Sequence, residues 1–268
     1  MPPTAQRSLR HEYSLFVEQE IEAYKDSVPR SVLMSIGDEA VAALHASQQI
    51  ALTELLLWEE VDRIISRRLR LPTFETWKRR RLRILARYKN PAHWGLAPDA
   101  PIVSAIPVRP DTRVLVAGVA SAPVVEGAAL YLAANGCEVT TVEPEEDVVE
   151  RVMHAATEAG MSERMRPMIS GLADWAPDEL LHAVVCSPAA FEGLSADERA
   201  RVIATLQSAT ADGGVHLVQT LVAGVSGTRD GQDVSLDELR ARYLDWDVTY
   251  SADAGNGPVF LARKLHIA

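Results

Sequence analysis

Residues Arg113 to Pro144, RVLVAGVASAPVVEGAALYLAANGCEVTTVEP, read as a buried strand, a tight loop, a helix and a second strand that ends in an acid. Val114 to Val116 is a short apolar run stopped by Ala117 and Gly118, as in a parallel strand covered on both faces. Pro123 suits a first helical turn, and Gly136 closes the helix that carries Ala128, Leu130, Tyr131 and Leu132. Glu138 to Val142 is rich in β-branched residues and delivers Glu143 at its carboxyl end. In an open α/β sheet ligands bind beyond that end, and an acid there commonly accepts ribose hydroxyls. The segment is half of a nucleotide-type binding fold.

The chain before it reads as helical. Tyr13, Phe16, Val17, Ile21 and Tyr24 recur at helical spacing between His11 and Lys25, and Pro29 ends the pattern. Ser31 to Ile36 is expected to form a short turn closed by Gly37, with Asp38 capping a long helix from about Glu39 to Arg70. Ile50, Leu57, Ile64 and Leu71 give that helix a heptad stripe, and Phe74 to Tyr88 forms a further, basic helix. Pro98, Pro101, Pro107 and Pro110 mark 97–110 as a linker or a strap laid across the next domain. The expected organisation is a helical module at 1–96, a proline-rich linker at 97–110 and an α/β domain at 111–268.

Beyond Glu143 the alternation continues. A helix over Glu145 to Ala159 and strands at Arg166 to Ser170 and Ala183 to Cys186 are followed by a helix headed by Ser195 and Glu198, which have capping-box spacing. A strand at Val215 to Leu221, a helix at Leu236 to Tyr243 and two closing strands around ADAGNG complete the series. With GAALYLAANGCEVTTVEP, the stretches VVCSPAAFEGLSADERARVIATLQSATADGG (184–214), LDELRARYLDWDV (236–248) and VFLARK (259–264) carry a resemblance over roughly Asp111 to His266. They resemble the class I S-adenosylmethionine-dependent methyltransferases, and within them the tellurite-resistance methyltransferase family. That resemblance implies a Rossmann-like seven-stranded sheet with its last strand antiparallel, preceded here by the helical module. It also implies S-adenosylmethionine as cofactor and a small molecule as methyl acceptor.

Carried onto this sequence, the resemblance puts Gly118, Ala120 and Ser121 under the methionine of the cofactor, Glu143 on its ribose, and Ser187 and Phe191 beside the acceptor. The family's pattern has an acid where Val116 stands and a glycine-rich loop of which Gly118 remains. Its acid near the adenine aligns with Leu172, with Asp174 two residues on as a substitute and Trp175 as a cover. Two functions are compatible with this departure. One is a small-molecule methyltransferase; the other is a catalytically inactive methyltransferase-fold scaffold or subunit that binds a partner through its helices. A dehydrogenase lacks support, since no GxGxxG fingerprint is present.

The net charge of −10 argues against a nucleic-acid binder, yet its sign is uneven. Between Arg63 and Lys89 the only acid is Glu75, and Arg79, Arg80, Arg81 and Arg83 concentrate on the basic helix as candidate contacts for a protein partner or an anionic membrane face. Scattered histidines without paired Cys/His spacing predict no metal site. Cys137 and Cys186 fall on strands and read as buried small hydrophobes. With no secretory pattern in MPPTAQRSLRHEYSLF, a cytoplasmic protein is expected, with peripheral attachment to a membrane or larger complex as the variant.

Overall fold

The computed structural model describes residues 8–46, 54–120, 122–219, 235–251 and 259–265. The chain divides into two compact units, Met1–Ile84 and Leu85–Ala268.

The first unit is helical. Helix α1 spans Leu9–Ser27, α2 Arg30–Ala46 and α3 Glu54–Leu69, and α4, Phe74–Tyr88, begins in it. The Ser8 hydroxyl caps α1 by accepting from the His11 N–H, so the helix starts before the position expected from its apolar spacing. Ile21 of α1, Ile36 and Ala40 of α2, and Val61, Ile64 and Ile65 of α3 share one core. That sharing corrects the expectation of one long helix from Glu39 to Arg70. In a straight helix Ala40 and Ile65 would lie roughly 37 Å apart. They instead share one core, and Glu39 forms an ion pair with Arg68, so α2 and α3 fold back on each other; residues 47–53 lie outside those described. Nor does Gly37 stop a short turn. Helix α2 runs through it, since Ile36 and Ala40 on either side are fully buried and outweigh the roughly 1 kcal/mol cost of a helical glycine. Tyr13 and Phe16 pack against Phe74 and Trp77, and the Tyr13 hydroxyl donates to the Pro72 carbonyl at 2.8 Å.

The second unit is built on a seven-stranded sheet. Its strands are β1 (Arg113–Ala117), β2 (Glu138–Glu143), β3 (Met165–Ile169), β4 (Leu181–Cys186), β5 (Thr210–Gln219), β6 (Trp246–Ser251) and β7 (Val259–Lys264), in the order β3-β2-β1-β4-β5-β7-β6. Strands β1 to β5 pair in parallel, whereas β7 runs antiparallel to both β5 and β6. The apolar run of β1 is explained by double coverage. Val114 and Val116 face a core shared with α6 (Pro123–Ala134) and α7 (Glu146–Glu158), while Leu115 and Ala117 face one shared with α8 (Ala196–Ser208) and α9 (Leu236–Arg242). The hairpin residues ADAGNG between β6 and β7 lie outside the described residues.

Residues 97–110, read from the sequence as linker or strap, carry the short helix α5 (Pro101–Ser104) and bury Ala100, Ile102 and Ile106 in the first of these cores. Just upstream, the turn Pro91–Trp94 lies directly on α6. A Cβ at Gly127 would sit 2.1 Å from the Trp94 carbonyl oxygen, so glycine is what admits this approach.

Candidate functional site

The carboxyl ends of β1, β2 and β4 converge where the strand order reverses, which is where open α/β sheets hold their ligands. Gly118 leaves β1 with φ +73°, a left-handed conformation that favours glycine. A Cβ there would lie 2.4 Å from Ser187 Oγ and 2.7 Å from the Ala190 nitrogen. The missing side chain thus lets the segment after β4 close onto the turn after β1. Ser187 fixes this closure twice, its N–H donating to the Ala117 carbonyl at 3.1 Å and its hydroxyl to the Gly118 carbonyl at 2.6 Å.

Glu143 completes the arrangement. It ends β2 with only 3% of its surface exposed, and its Oε2 accepts the Ala120 N–H at 3.1 Å. The carboxylate therefore orders the turn after β1 as well as ending the strand. Gly118, Ala120, Glu143 and Ser187 are accordingly brought together, and Ser121 lies outside the described residues. Phe191 is 2% exposed and packs in the α8-side core with Leu172. Asp174 is placed elsewhere, lining a groove against α8 with Trp175. Arg79, Arg80 and Arg83 are exposed on α4, whereas Arg81 is half-buried and pairs with Glu12 at 3.1 Å.

Chemically, the convergence offers backbone approach and a carboxylate acceptor. Ser187 and Cys186, the hydroxyl and thiol described there, are poorly suited to proton transfer. The Ser187 hydroxyl is committed as a donor, and burial pushes the Cys186 thiol up to about 12, far from thiolate formation near neutrality. Cys137 is likewise pushed up to about 11 by burial. His182 stands at the amino end of β4, where its Nδ1 accepts the Arg113 N–H at 3.1 Å. Among the described residues no group of three or more His, Cys, Asp or Glu is placed to hold a metal ion, and no helix is long and apolar enough to cross a membrane.

One polar cluster had no sequence signal except its oddity. His216 interrupts the apolar run of β5 and is fully buried, with its Nε2 2.7 Å from the Thr210 hydroxyl and its Nδ1 2.7 Å from the Tyr243 hydroxyl. The Thr210 hydroxyl donates to the Leu206 carbonyl at 2.6 Å, so it accepts from His216 Nε2–H, and Nδ1 accepts from Tyr243. Every proton in this chain of bonds has a fixed direction, and the histidine is neutral.

No family model matches the chain, and no curated protein matches it. Solved structures similar to it include TehB from Haemophilus influenzae, at 18% identity over 61% of this chain and 61% of that one with a TM-score of 0.48. The glycopeptide N-methyltransferase MtfA complexed with S-adenosylmethionine is similar at 14% identity over 58% of this chain and 88% of that one, TM-score 0.45. The N-methyltransferase NodS from Bradyrhizobium japonicum is similar at 12% identity over 73% of this chain and all of that one, TM-score 0.47. This chain spans less than two thirds of the length of TehB. What defines the class is the strand order together with β7, the one antiparallel strand among the described residues: the second unit has the class I methyltransferase fold.

Proposed function

We propose that the sheet unit binds S-adenosylmethionine at the carboxyl ends of β1 and β2 and serves as a small-molecule methyltransferase. The observation that carries this reading is the buried Glu143 carboxylate, held at the end of β2 against the Ala120 amide of the glycine turn. The fit to the cofactor is good at these positions, where Gly118 keeps the backbone turn and Glu143 the ribose acceptor. It is weaker at two others, because Val116 and Leu172 are buried hydrophobic residues where the family has acids. When bound, S-adenosylmethionine supplies an electrophilic methyl group. The chain's own residues would hold and orient; neither Ser187 nor Cys186 is suited to take a proton, which favours an acceptor whose nucleophile arrives already deprotonated or lone-pair bearing, with proximity supplying the acceleration.

A second reading rests on the same bonds. Glu143 Oε2 and Ser187 Oγ are already satisfied by the chain, which favours a catalytically inactive scaffold. Calorimetric titration with S-adenosylmethionine and S-adenosylhomocysteine separates the two. Micromolar or tighter binding that Glu143→Ala weakens by about 1 to 3 kcal/mol is expected, since the ribose hydroxyls lose a charged acceptor. Absence of binding in the parent protein would leave the scaffold.

Under either reading the helical unit is proposed as a contact for an acidic protein partner. Support comes from Arg79, Arg80 and Arg83, which are exposed on α4 beside the exposed Leu82 and Ile84 and pair with no carboxylate among the described residues. Changing these three to glutamine is expected to abolish a salt-sensitive association while leaving helicity intact, because exposed charges are screened over ~8 Å at physiological ionic strength. Partner retention unaffected by the triple change, read by co-purification at low and high salt, counts against this surface.

A further inference from the structure

The connection between β3 and β4 crosses the sheet face without a helix among its described residues, and the space beside α8 is left as a groove of about 340 Å³. That volume lies within the range of small-molecule sites. Leu172, Val202 and Leu206 form its apolar floor, and Trp175 forms a wall. None of its lining residues belongs to the cluster of Gly118, Ala120, Glu143 and Ser187.

The charges around the groove restrict what it accepts. Glu198 is tied to the helix start through one oxygen, its Oε2 accepting both the Ser195 N–H at 2.8 Å and the Ser195 hydroxyl at 2.7 Å in the capping box of α8. Asp174 and Arg201 are different. Both are exposed, both line the groove, and neither side chain makes a hydrogen bond or a contact ion pair with a described residue, although Arg201 lies near enough to the Glu198 carboxylate to help hold it ionised. An acceptor-only carboxylate and a donor-only guanidinium thus stand over one apolar floor with their hydrogen-bonding atoms open. A ligand that satisfies both has donors and acceptors side by side on one edge, and a flat face for the indole.

We propose that this groove binds a planar heteroaromatic ring with an amino-oxo edge, that of guanine or a pterin. In such a ring adjacent ring and amino N–H groups suit the Asp174 carboxylate, while the carbonyl oxygen and neighbouring ring nitrogen suit Arg201, the commonest partner of that pair of acceptors. The ring face meets Trp175, and its apolar body covers Leu172, Val202 and Leu206. Adenine lacks the carbonyl and the paired donors, so it satisfies at most one of the two charges. The inference does not rest on the cofactor reading of the switch point.

The test is calorimetric titration of the full chain with guanosine, 6-methylpterin and adenosine in separate arms. Guanosine or 6-methylpterin is expected to bind at least tenfold more tightly than adenosine, and which of the two binds identifies the source of the edge. Asp174→Asn and Arg201→Gln are each expected to weaken that binding about tenfold or more, a loss typical of a bidentate base contact. Both positions are exposed, so folding is not at stake, and circular dichroism verifies it. Glu143→Ala is expected to change nothing in these titrations. Equal binding of adenosine, no binding of any of the three, or competition by S-adenosylhomocysteine would each overturn the proposal, the last by assigning the groove to the cofactor.

Discussion

Acidification from pH 6.5 to about 3 is expected to remove on the order of 5 kcal/mol of stability from the sheet unit through one residue, His216. Burial, with Lys264 nearby as a lesser cause, lowers its pKa from 6.5 to about 3. The unfolded chain therefore takes up a proton before the folded chain does. The stabilisation is complete above pH 6.5, declines as pH falls, and is gone at about 3, where the folded state protonates as well. Geometry explains why the folded state resists: Nδ1 is already an acceptor for Tyr243, and a proton placed there would face a donor. Lys264 deepens the penalty from the Thr210 and Gln207 carbonyls, to which its ammonium donates at 2.6 and 3.2 Å. His216→Gln is the informative variant, because it retains hydrogen-bonding groups without titrating. It should be less stable near neutrality and flatter with pH, read as the urea midpoint of both proteins at about pH 7 and about pH 4.5. Equal slopes in the two proteins would show that the acid sensitivity comes from carboxylates instead.

That network illustrates what the sequence could not disclose. His216 and Tyr243 are brought into contact only because β5 and α9 pack on the same side of the sheet, and no local pattern announces such a pairing. The groove is hidden for the same reason, since Asp174 and Arg201 come from different connections. By contrast, β1, α6 and β2 were legible because their signals are local. A run covered on both faces must be apolar throughout, Pro123 fits the first turn of α6, and Gly136 takes φ +107° just beyond its end. The antiparallel β7 was legible through its place at the end of an alternating series. The helical unit shows the limit of periodicity. Ile50, Leu57, Ile64 and Leu71 keep heptad spacing in sequence, but phase alone does not separate one long helix from two that fold back together. The place of Glu143 at the end of β2 was legible because strand-end position is a sequence property; its bond to Ala120 is a tertiary one and was not.

Gly118→Val is expected to cost several kcal/mol and to abolish any binding at the switch point, for reasons that the neighbouring residues separate. The left-handed φ of +73° alone costs a β-branched residue roughly 1 to 2 kcal/mol or more. A Cβ would also meet Ser187 Oγ at 2.4 Å and the Ala190 nitrogen at 2.7 Å, and the second of these is backbone. Ser187→Gly should therefore restore only part of the loss in a double variant, since it removes the hydroxyl but leaves the Ala190 amide and the backbone strain. The same Ser187 change alone gives up its bond to the Gly118 carbonyl, a cost of about 1 kcal/mol or more in a buried setting. The two substitutions are consequently coupled, and the double variant should be more stable than the sum of the single effects predicts. Urea midpoints of the four proteins measure this. Strict additivity would mean that the turn after β1 and the segment after β4 are not in the contact described, and the closure of the switch point on itself would have to be abandoned.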